Sequence, residues 1–322
     1  MTRIVTAACL AACIGMAPPA FAETFSFVAI GDMPYGKKAD VYPKYESLIA
    51  EINKREPAFT IHIGDTKSGS GECSDQWLTE QLGFFNSFGS ALIYTPGDNE
   101  WTDCYRKAAG SMDPLERLAF VRQTYFADPS TSLGAKPIEV ESQAVVIADR
   151  YSGYPENARF DMKGVMIMTT HVVGSNNNFE IRDPAAVNEF FGRNEANIAW
   201  LEDSFDKAVA TNARAVVLAM QADMFEFDFN EFGKEGFLRH SGFKDFGEKL
   251  AKRAAAFGKP VLLVYGDSHI YRIGRPFKNT APNLIGLEVF GESDMHGVQI
   301  DVDTDSPEVF GFRPIMNPAL VK

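Results

Sequence analysis

Four short apolar runs of this sequence end in the same dipeptide, Gly-Asp. The dipeptides occupy positions 31–32, 64–65, 97–98 and 266–267. One such dipeptide is an ordinary turn, but four that each close a strand-like run predict carboxylates gathered at one place. Crowded carboxylates repel one another unless a cation lies among them. The pattern therefore favours a metal site over four unrelated turns.

A histidine extends the last of these turns. His269 lies two residues beyond Asp267 in the segment Gly266-Asp267-Ser268-His269. Neutral imidazole is a common metal ligand. The candidate ligands that follow from the pattern are Asp32, Asp65, Asp98, Asp267 and His269.

The elements that must position these side chains alternate between strand and helix. Strands are predicted at 25–30, 58–63 and 91–95, with helices at about 41–55 and 74–89. Such alternation forms βαβ units and a largely parallel sheet. In a parallel sheet the loops after the carboxyl ends of the strands converge on one crevice, where ligands bind. The predicted α/β fold thus brings the Gly-Asp turns together.

The rest of the chain continues the alternation with longer insertions. Helices are predicted at 114–126, 195–210 and 243–257, and strands at 215–220 and 260–265. Antiparallel strands are predicted at 138–147, 157–170, 298–302 and 309–312. No internal repeat or low-complexity linker interrupts the pattern, so residues 23–322 are expected to form a single domain.

The chain resembles the calcineurin-like metallophosphoesterases at these turns. The four Gly-Asp segments resemble, in the same order, the family motifs D-x-H, G-D-x-x-D, G-N-H-D/E and G-H-x-H. Gln221 stands where the family has a lone histidine. The helix that contains Trp200 and Leu201 is also similar to a W-L helix of the family. The resemblance implies a four-layer α-β-β-α sandwich. It also implies metal-dependent hydrolysis of phosphate mono- or diesters by a metal-activated water.

The resemblance implies two sets of metal ligands. Asp32, Asp65 and His269 would hold a first ion, with Pro34 where the family has a histidine. The second set is Asp65, Asp98, Gln221 and Asp267. This second set offers only oxygen where the family also offers nitrogen, and oxygen-rich sites suit hard cations. One or two divalent ions are expected, from among Mn, Mg, Ca, Fe and Zn.

The resemblance also points to groups that contact the substrate. Asn99 takes the place of a family histidine; it can donate a hydrogen bond to a phosphoryl oxygen but cannot deliver a proton at neutral pH. His171, at the end of a predicted strand, is a candidate replacement, with a surface or capping role as the alternative. Lys67 and Arg106 follow two of the turns and are candidates for binding phosphate, or else solvated surface charges.

Residues 1–22 resemble an export signal. Arg3 precedes an apolar stretch at 4–16, and Ala20-Phe21-Ala22 is typical of a cleavage site. A periplasmic or secreted protein without a transmembrane segment is therefore expected. The alternative is lipid anchoring through Cys13, which ends a lipoprotein-like sequence at 10–13.

Export would leave two cysteines in the mature chain, Cys73 and Cys104. In an oxidising compartment we expect them to form a disulfide, with separate buried thiols as the alternative. The bond would join the loops that follow the second and third Gly-Asp turns.

The net charge of the chain bears on its partners. Asp and Glu number 43 against 31 Lys and Arg, which gives a formal charge of −12. This balance argues against nucleic acid or an anionic membrane as partner. A small phosphorylated substrate is expected instead, because metal ions can supply the positive charge locally. The alternatives are a degenerate module that binds metal or phosphate without turnover, and an extracellular structural protein stabilised by Ca²⁺.

Overall fold

The computed structural model describes residues 24–226, 241–292 and 294–321. The predicted export signal at 1–22 lies outside these residues. Within them the chain forms two multi-stranded sheets with helices packed on both outer faces. No helix in these ranges is both long and apolar enough to cross a membrane.

The first sheet has six strands and carries three of the Gly-Asp turns. Its strands are β1 (Thr24–Ile30), β2 (Phe59–His62), β3 (Ala91–Tyr94), β4 (Leu133–Gly134), β12 (Gly297–Asp303) and β13 (Phe310–Ile315). They are ordered β13-β12-β1-β2-β3-β4, and β1, β2 and β3 run parallel. The parallel strands therefore present their carboxyl ends at one edge, as the sequence predicts.

The second sheet has seven strands and carries the fourth turn. Its strands are β5 (Glu141–Ser142), β6 (Ala158–Met162), β7 (Val165–Thr169), β8 (Ala215–Ala219), β9 (Val261–Tyr265), β10 (Arg272–Gly274) and β11 (Leu284–Glu288). They are ordered β10-β11-β9-β8-β7-β6-β5. Here β7, β8, β9 and β11 run parallel, and β6 and β7 form an antiparallel hairpin within the predicted segment 157–170.

The described residues contain five longer helices, some of which begin at a side-chain cap. They are α1 (Lys38–Asn53), α2 (Asp75–Phe85), α3 (Pro114–Tyr125), α7 (Pro184–Ala210) and α8 (Lys244–Phe257). Asp113 and Asp183 each accept hydrogen bonds from the first turn of α3 and α7, and each is followed by Pro, which suits the first helical position. Because of this cap, α7 begins eleven residues before the predicted helix at 195–210.

The predicted strand at 138–147 is wrong over most of its length. Only β5 is a strand, and the short helices α4 (Gln143–Val146) and α5 (Ala148–Tyr151) follow it. Ser142 accepts a hydrogen bond from Ala144 N, a local contact that turns the backbone out of the extended conformation. A further short helical segment, α6 (Gly174–Asn177), lies beside the cavity described below.

The core confirms the predicted α-β-β-α layers. Phe27 and Ile61 of the first sheet pack against Ile167 and Val217 of the second in a buried layer between the sheets. On one outer face, side chains of α1, α2 and α3 cover the first sheet. On the other, α7 and α8 cover the second sheet. Both sheets are thus held rigidly, so the loops at their ends have fixed positions.

The predicted disulfide is confirmed. Cys73 and Cys104 are bonded, with their Cα atoms 5.8 Å apart, and both residues are buried. The bond ties the loop after β2 to the loop after β3.

Candidate metal centre

The four Gly-Asp turns meet at the edge shared by the two sheets. Asp65, Asp98 and Asp267 each offer one carboxylate oxygen, and these three atoms all lie within 4.8 Å of one another. Asp32 adjoins the group, because its Oδ2 accepts a hydrogen bond of 3.1 Å from Asp267 N. The structure thus brings together the four aspartates that the sequence singles out.

The glycines of these turns make the convergence possible. A β-carbon at Gly97 would lie 1.9 Å from Asp65 Oδ1, and one at Gly266 would lie 2.1 Å from Asp32 Oδ2. Both distances are far shorter than any non-bonded contact. The carboxylate of one turn therefore occupies the space that a side chain would take in another turn, which explains why glycine precedes the aspartate.

The electrostatics of the cluster favour binding of a cation. Burial raises the pKa of Asp32, Asp65 and Asp267 well above the ordinary value, and the neighbouring charge of Asp98 raises each further. In the described residues, Asp32 Oδ1 and Asp98 Oδ1 are buried without a hydrogen-bond partner. A buried carboxylate oxygen without a partner is unfavourable, and a divalent cation would satisfy it. The donor set therefore fits a metal ion.

His269 lies next to Asp32, and Glu292 contacts the other nitrogen of its imidazole ring. His269 Nε2 is 4.0 Å from Asp32 Oδ1, and Nδ1 is 3.5 Å from Glu292 Oε2. Glu292 N donates a 2.7 Å hydrogen bond to Asp32 O, so the glutamate loop is attached to the first turn. A carboxylate behind an imidazole fixes its orientation toward a metal. No sequence motif marks Glu292.

Asp65 is surrounded by hydrogen-bond donors. Its Oδ1 accepts from Asn99 N at 3.0 Å. Its Oδ2 accepts from Asn99 Nδ2 at 2.7 Å, Tyr35 OH at 3.1 Å and Gln221 Nε2 at 3.2 Å. Tyr35, which the motif comparison does not include, is therefore part of the site.

Two of the predicted roles assume other contacts for these side chains. Gln221 is predicted as an oxygen ligand, but its Oε1 accepts from Gly174 N at 2.6 Å and its amide nitrogen faces Asp65. Asn99 is predicted to donate to a phosphoryl oxygen, but its Nδ2 already donates to Asp65 and to Tyr35 OH at 2.9 Å. An amide nitrogen carries two hydrogens, so neither is left for a substrate.

The catalytic role predicted for His171 does not agree with its position. The residue is fully buried and does not line the cavity. Its Nδ1 is 2.7 Å from Glu156 Oε1, which also pairs with Arg122. Burial lowers the pKa of His171 to about 4, so the ring is neutral at pH 7. His171 belongs to the interior of the fold.

A cavity of about 580 Å³ opens over the aspartates. Its lining includes Asp65, Asp98, Asn99, Asp103, Arg106, Ser175, Asp267, His269 and Glu292. Of the two predicted phosphate-binding cations, Arg106 lines the cavity, where it pairs with Asp103 at 2.6 Å. Lys67 does not: it is 1% exposed, and its Nζ donates to Ser68 O at 3.1 Å. Lys67 is therefore an interior charge beside the site.

One wall of the cavity is an unusual left-handed turn. Ser175, Asn176, Asn177 and Asn178 have consecutive positive φ angles of 50°, 53°, 56° and 59°. Asparagine tolerates this conformation better than most residues, so the Asn run at 176–178 was the sequence signal for it. The turn places Ser175 Oγ 2.7 Å from Asp98 Oδ2 and 2.9 Å from Asp103 Oδ1. Strained turns of this kind cluster at functional sites.

Comparisons with known proteins agree with this fold. No family model matches the sequence, and no curated protein sequence matches it. Among solved structures, a purple acid phosphatase from yellow lupin (Lupinus luteus) seeds superposes with a TM-score of 0.52 at 10% identity, over 91% of this chain and 54% of that one. A 5'-nucleotidase from Candida albicans has a TM-score of 0.46 at 11% identity, over 90% of this chain and 50% of that one.

The likeness to the phosphatase shows the fold alone. The α/β architecture is of the metallophosphoesterase type, and the chain spans about half the length of the two solved structures.

Proposed function

We propose that this chain is an exported hydrolase of phosphate esters that depends on divalent metal. The observation that carries the proposal is the convergence of Asp32, Asp65, Asp98 and Asp267 under an open cavity, with buried oxygens left without partners. This arrangement lies at the strand ends of a fold of the metallophosphoesterase type. Carboxylates so arranged would hold a cation where a phosphoryl group could reach it.

The roles of the residues follow from their contacts. Asp65, Asp98 and Asp267 would hold the ion, with Asp32 and His269 beside them and Glu292 orienting the imidazole. A bound divalent cation supplies positive charge to the phosphoryl oxygens and lowers the pKa of water. Arg106 would bind a non-bridging oxygen of the substrate, because its guanidinium lines the same cavity and is 43% exposed.

A direct assay tests this proposal. The purified protein is treated with chelator, then assayed with Mn²⁺, Mg²⁺, Ca²⁺ or Zn²⁺ on p-nitrophenyl phosphate and on bis(p-nitrophenyl) phosphate. We expect metal-dependent turnover of at least one ester, lost in Asp98→Asn but kept in the exposed control Asp149→Asn. Folded, metal-loaded protein that hydrolyses neither ester with any ion would contradict the proposal.

A second candidate function is a module that binds metal or phosphate without turnover. It is favoured by the contacts of Asn99, which stands where the family has a histidine and whose amide hydrogens are both engaged with Asp65 and Tyr35. Binding of inorganic phosphate to the metal-loaded protein, without hydrolysis of either ester, would support this candidate. A rise in melting temperature with Ca²⁺, without phosphate binding, would instead support a structural role.

Export and a single domain are part of the proposal. We infer that residues 1–22 are removed and that 23–322 form one phosphoesterase domain in the periplasm or outside the cell. The bonded pair of Cys73 and Cys104 supports an oxidising compartment. Mass spectrometry of the exported protein should find a mature chain that begins at Glu23; a lipid-modified Cys13 would contradict this.

A further inference from the structure

We propose that the centre binds one divalent cation rather than two, and that neutral donors around Asp65 take the place of a second ion. This inference rests on the metal site of the proposed function, but it concerns the number of ions and can fail separately. It departs from the resemblance, which implies ligands for two ions. The donors are Tyr35, Asn99 and Gln221.

The orientation of Gln221 is fixed by a contact outside the site. Gly174 N lies 2.6 Å from Gln221 Oε1, and a backbone N–H can only donate. The amide oxygen must therefore face Gly174, which turns Nε2 toward Asp65 Oδ2 at 3.2 Å. An amide nitrogen does not coordinate a divalent cation, so the position of a family ligand presents a hydrogen-bond donor.

Asn99 and Tyr35 complete the same side of Asp65. A carboxylate only accepts, so Asn99 Nδ2, at 2.7 Å from Asp65 Oδ2, must donate to it. The second hydrogen of that amide is directed at Tyr35 OH, whose own hydrogen is directed at Asp65 Oδ2. Three donors converge on one oxygen, and a carboxylate oxygen has only two lone pairs for ligands. The Oδ2 side of Asp65 is thus saturated without a metal.

Ligand atoms for one ion remain. Asp65, Asp98 and Asp267 each offer one carboxylate oxygen, and these atoms lie within 4.8 Å of one another. Asp65 Oδ1 accepts a hydrogen bond from Asn99 N and keeps a lone pair for an ion, and Asp98 Oδ1 is buried without a hydrogen-bond partner in the described chain. His269 lies beside this group, with its Nε2 4.0 Å from Asp32 Oδ1.

The test counts ions directly. Chelator-treated wild-type protein is titrated with Mn²⁺ by calorimetry and examined by electron paramagnetic resonance, with metal content measured after dialysis. We expect one Mn²⁺ per chain and the hyperfine pattern of an isolated ion. Two Mn²⁺ per chain, or a spectrum of two coupled ions, would overturn the inference, as would failure of the folded protein to bind Mn²⁺.

A variant of Gln221 gives a second test of the number of bound ions. If Gln221 is a donor and not a ligand, Gln221→Ala keeps one ion per chain and weakens its binding by about tenfold, the lower end of the range for groups that hydrogen-bond a metal ligand. Loss of one of two ions in this variant would overturn the inference. Gln81→Ala is the matched control, because Gln81 is also buried but contacts Tyr42 away from the site. One ion without ester hydrolysis would refute the proposed function alone; hydrolysis with two ions would refute this inference alone.

Discussion

In two buried clusters of this protein, the pKa values of the carboxylic acids are shifted in opposite directions. In the interior cluster, Glu156 contacts Arg122 at 2.5 Å and His171 at 2.7 Å. Burial alone would raise the pKa of Glu156, but Arg122 and His171 hold it well below its ordinary value. In the metal-centre cluster, burial raises the pKa of Asp32 and Asp65, and neighbouring carboxylates raise it further.

The difference lies in the partners and not in the carboxylates. The interior cluster contains its own cation, Arg122, which compensates the charge of Glu156 without any ligand. The metal-centre cluster has more carboxylates than cations and leaves buried oxygens without partners. A cluster of this second kind is unfavourable in the free chain and becomes favourable when a cation binds. This contrast separates a structural network from a binding site, although both are buried and both contain a strand-end histidine.

The largest effect is expected from breaking the interior cluster. Arg122→Met leaves the charge of Glu156 buried without its main partner, which should lower the free energy of unfolding by about 3–5 kcal/mol. Urea unfolding measures this loss, and metal affinity should not change. Arg150→Met, which breaks an exposed pair with Glu195, is the control and should cost less than about 1 kcal/mol. Equal effects of the two variants would mean that the interior cluster is not special.

In the metal centre, removal of a charge is expected to weaken metal binding without destabilising the metal-free protein. Asp98→Asn should weaken Mn²⁺ binding at least about a hundredfold, equivalent to about 2.7 kcal/mol, because an unpartnered ligand oxygen loses its charge. The same change should leave the metal-free protein equally stable or more stable, because it removes repulsion with Asp32 and Asp65. Calorimetry and urea unfolding with and without metal measure both effects. A metal-free variant that is clearly less stable than the wild type would assign Asp98 a structural role.

A smaller effect on metal binding is expected from Glu292, which contacts the His269 ring. Glu292→Gln should weaken Mn²⁺ binding by about tenfold, the lower end of the range for groups that orient a metal-bound histidine. The ¹⁵N shifts of the His269 ring should also change in the metal-free protein, because Nδ1 lies 3.5 Å from Glu292 Oε2. Glu308→Gln, in an exposed loop, is the control. Unchanged ring shifts and affinity would remove Glu292 from the site.

The pH dependence should distinguish metal-free from metal-loaded protein. The raised pKa values of Asp32, Asp65 and Asp267 mean that the metal-free folded state binds more protons than the unfolded state above about pH 4. Its stability should therefore fall as the pH rises above about 4. In the metal-loaded state the carboxylates stay ionised, so the stabilisation by metal should grow with pH.

The titration of His171 changes the stability in the opposite direction. It is the same in both forms, so it cancels from the difference in stability between metal-loaded and metal-free protein. His171, with its pKa lowered to about 4, leaves the folded state with fewer protons than the unfolded state between about pH 4 and 6.5. Stability therefore decreases as the pH falls through this window, with or without metal. Melting temperatures of both forms across the range measure the two contributions. A metal effect that is constant with pH would contradict the raised pKa values.

The fold and the position of the site could be predicted from local signals. Each Gly-Asp turn is a short pattern at the end of an apolar run, and parallel strands bring such ends to one edge whatever the details of packing. The helix caps at Asp113 and Asp183 are also local signals, and Asp183-Pro184 marks the start of α7 eleven residues before the predicted helix. The pairing of Cys73 with Cys104 was predicted because removal of the export signal would leave only these two cysteines.

What each polar side chain does at the site was decided by tertiary structure. Gln221 directs its amide nitrogen toward Asp65 because Gly174 N, far away in the sequence, donates a hydrogen bond to its oxygen. His171 is buried because Glu156 and its partner Arg122 come from other elements, and Glu292 reaches His269 only through a loop attached to Asp32. A residue type fixes which hydrogen bonds are possible. Which of them forms depends on atoms that only the folded chain brings within about 3 Å.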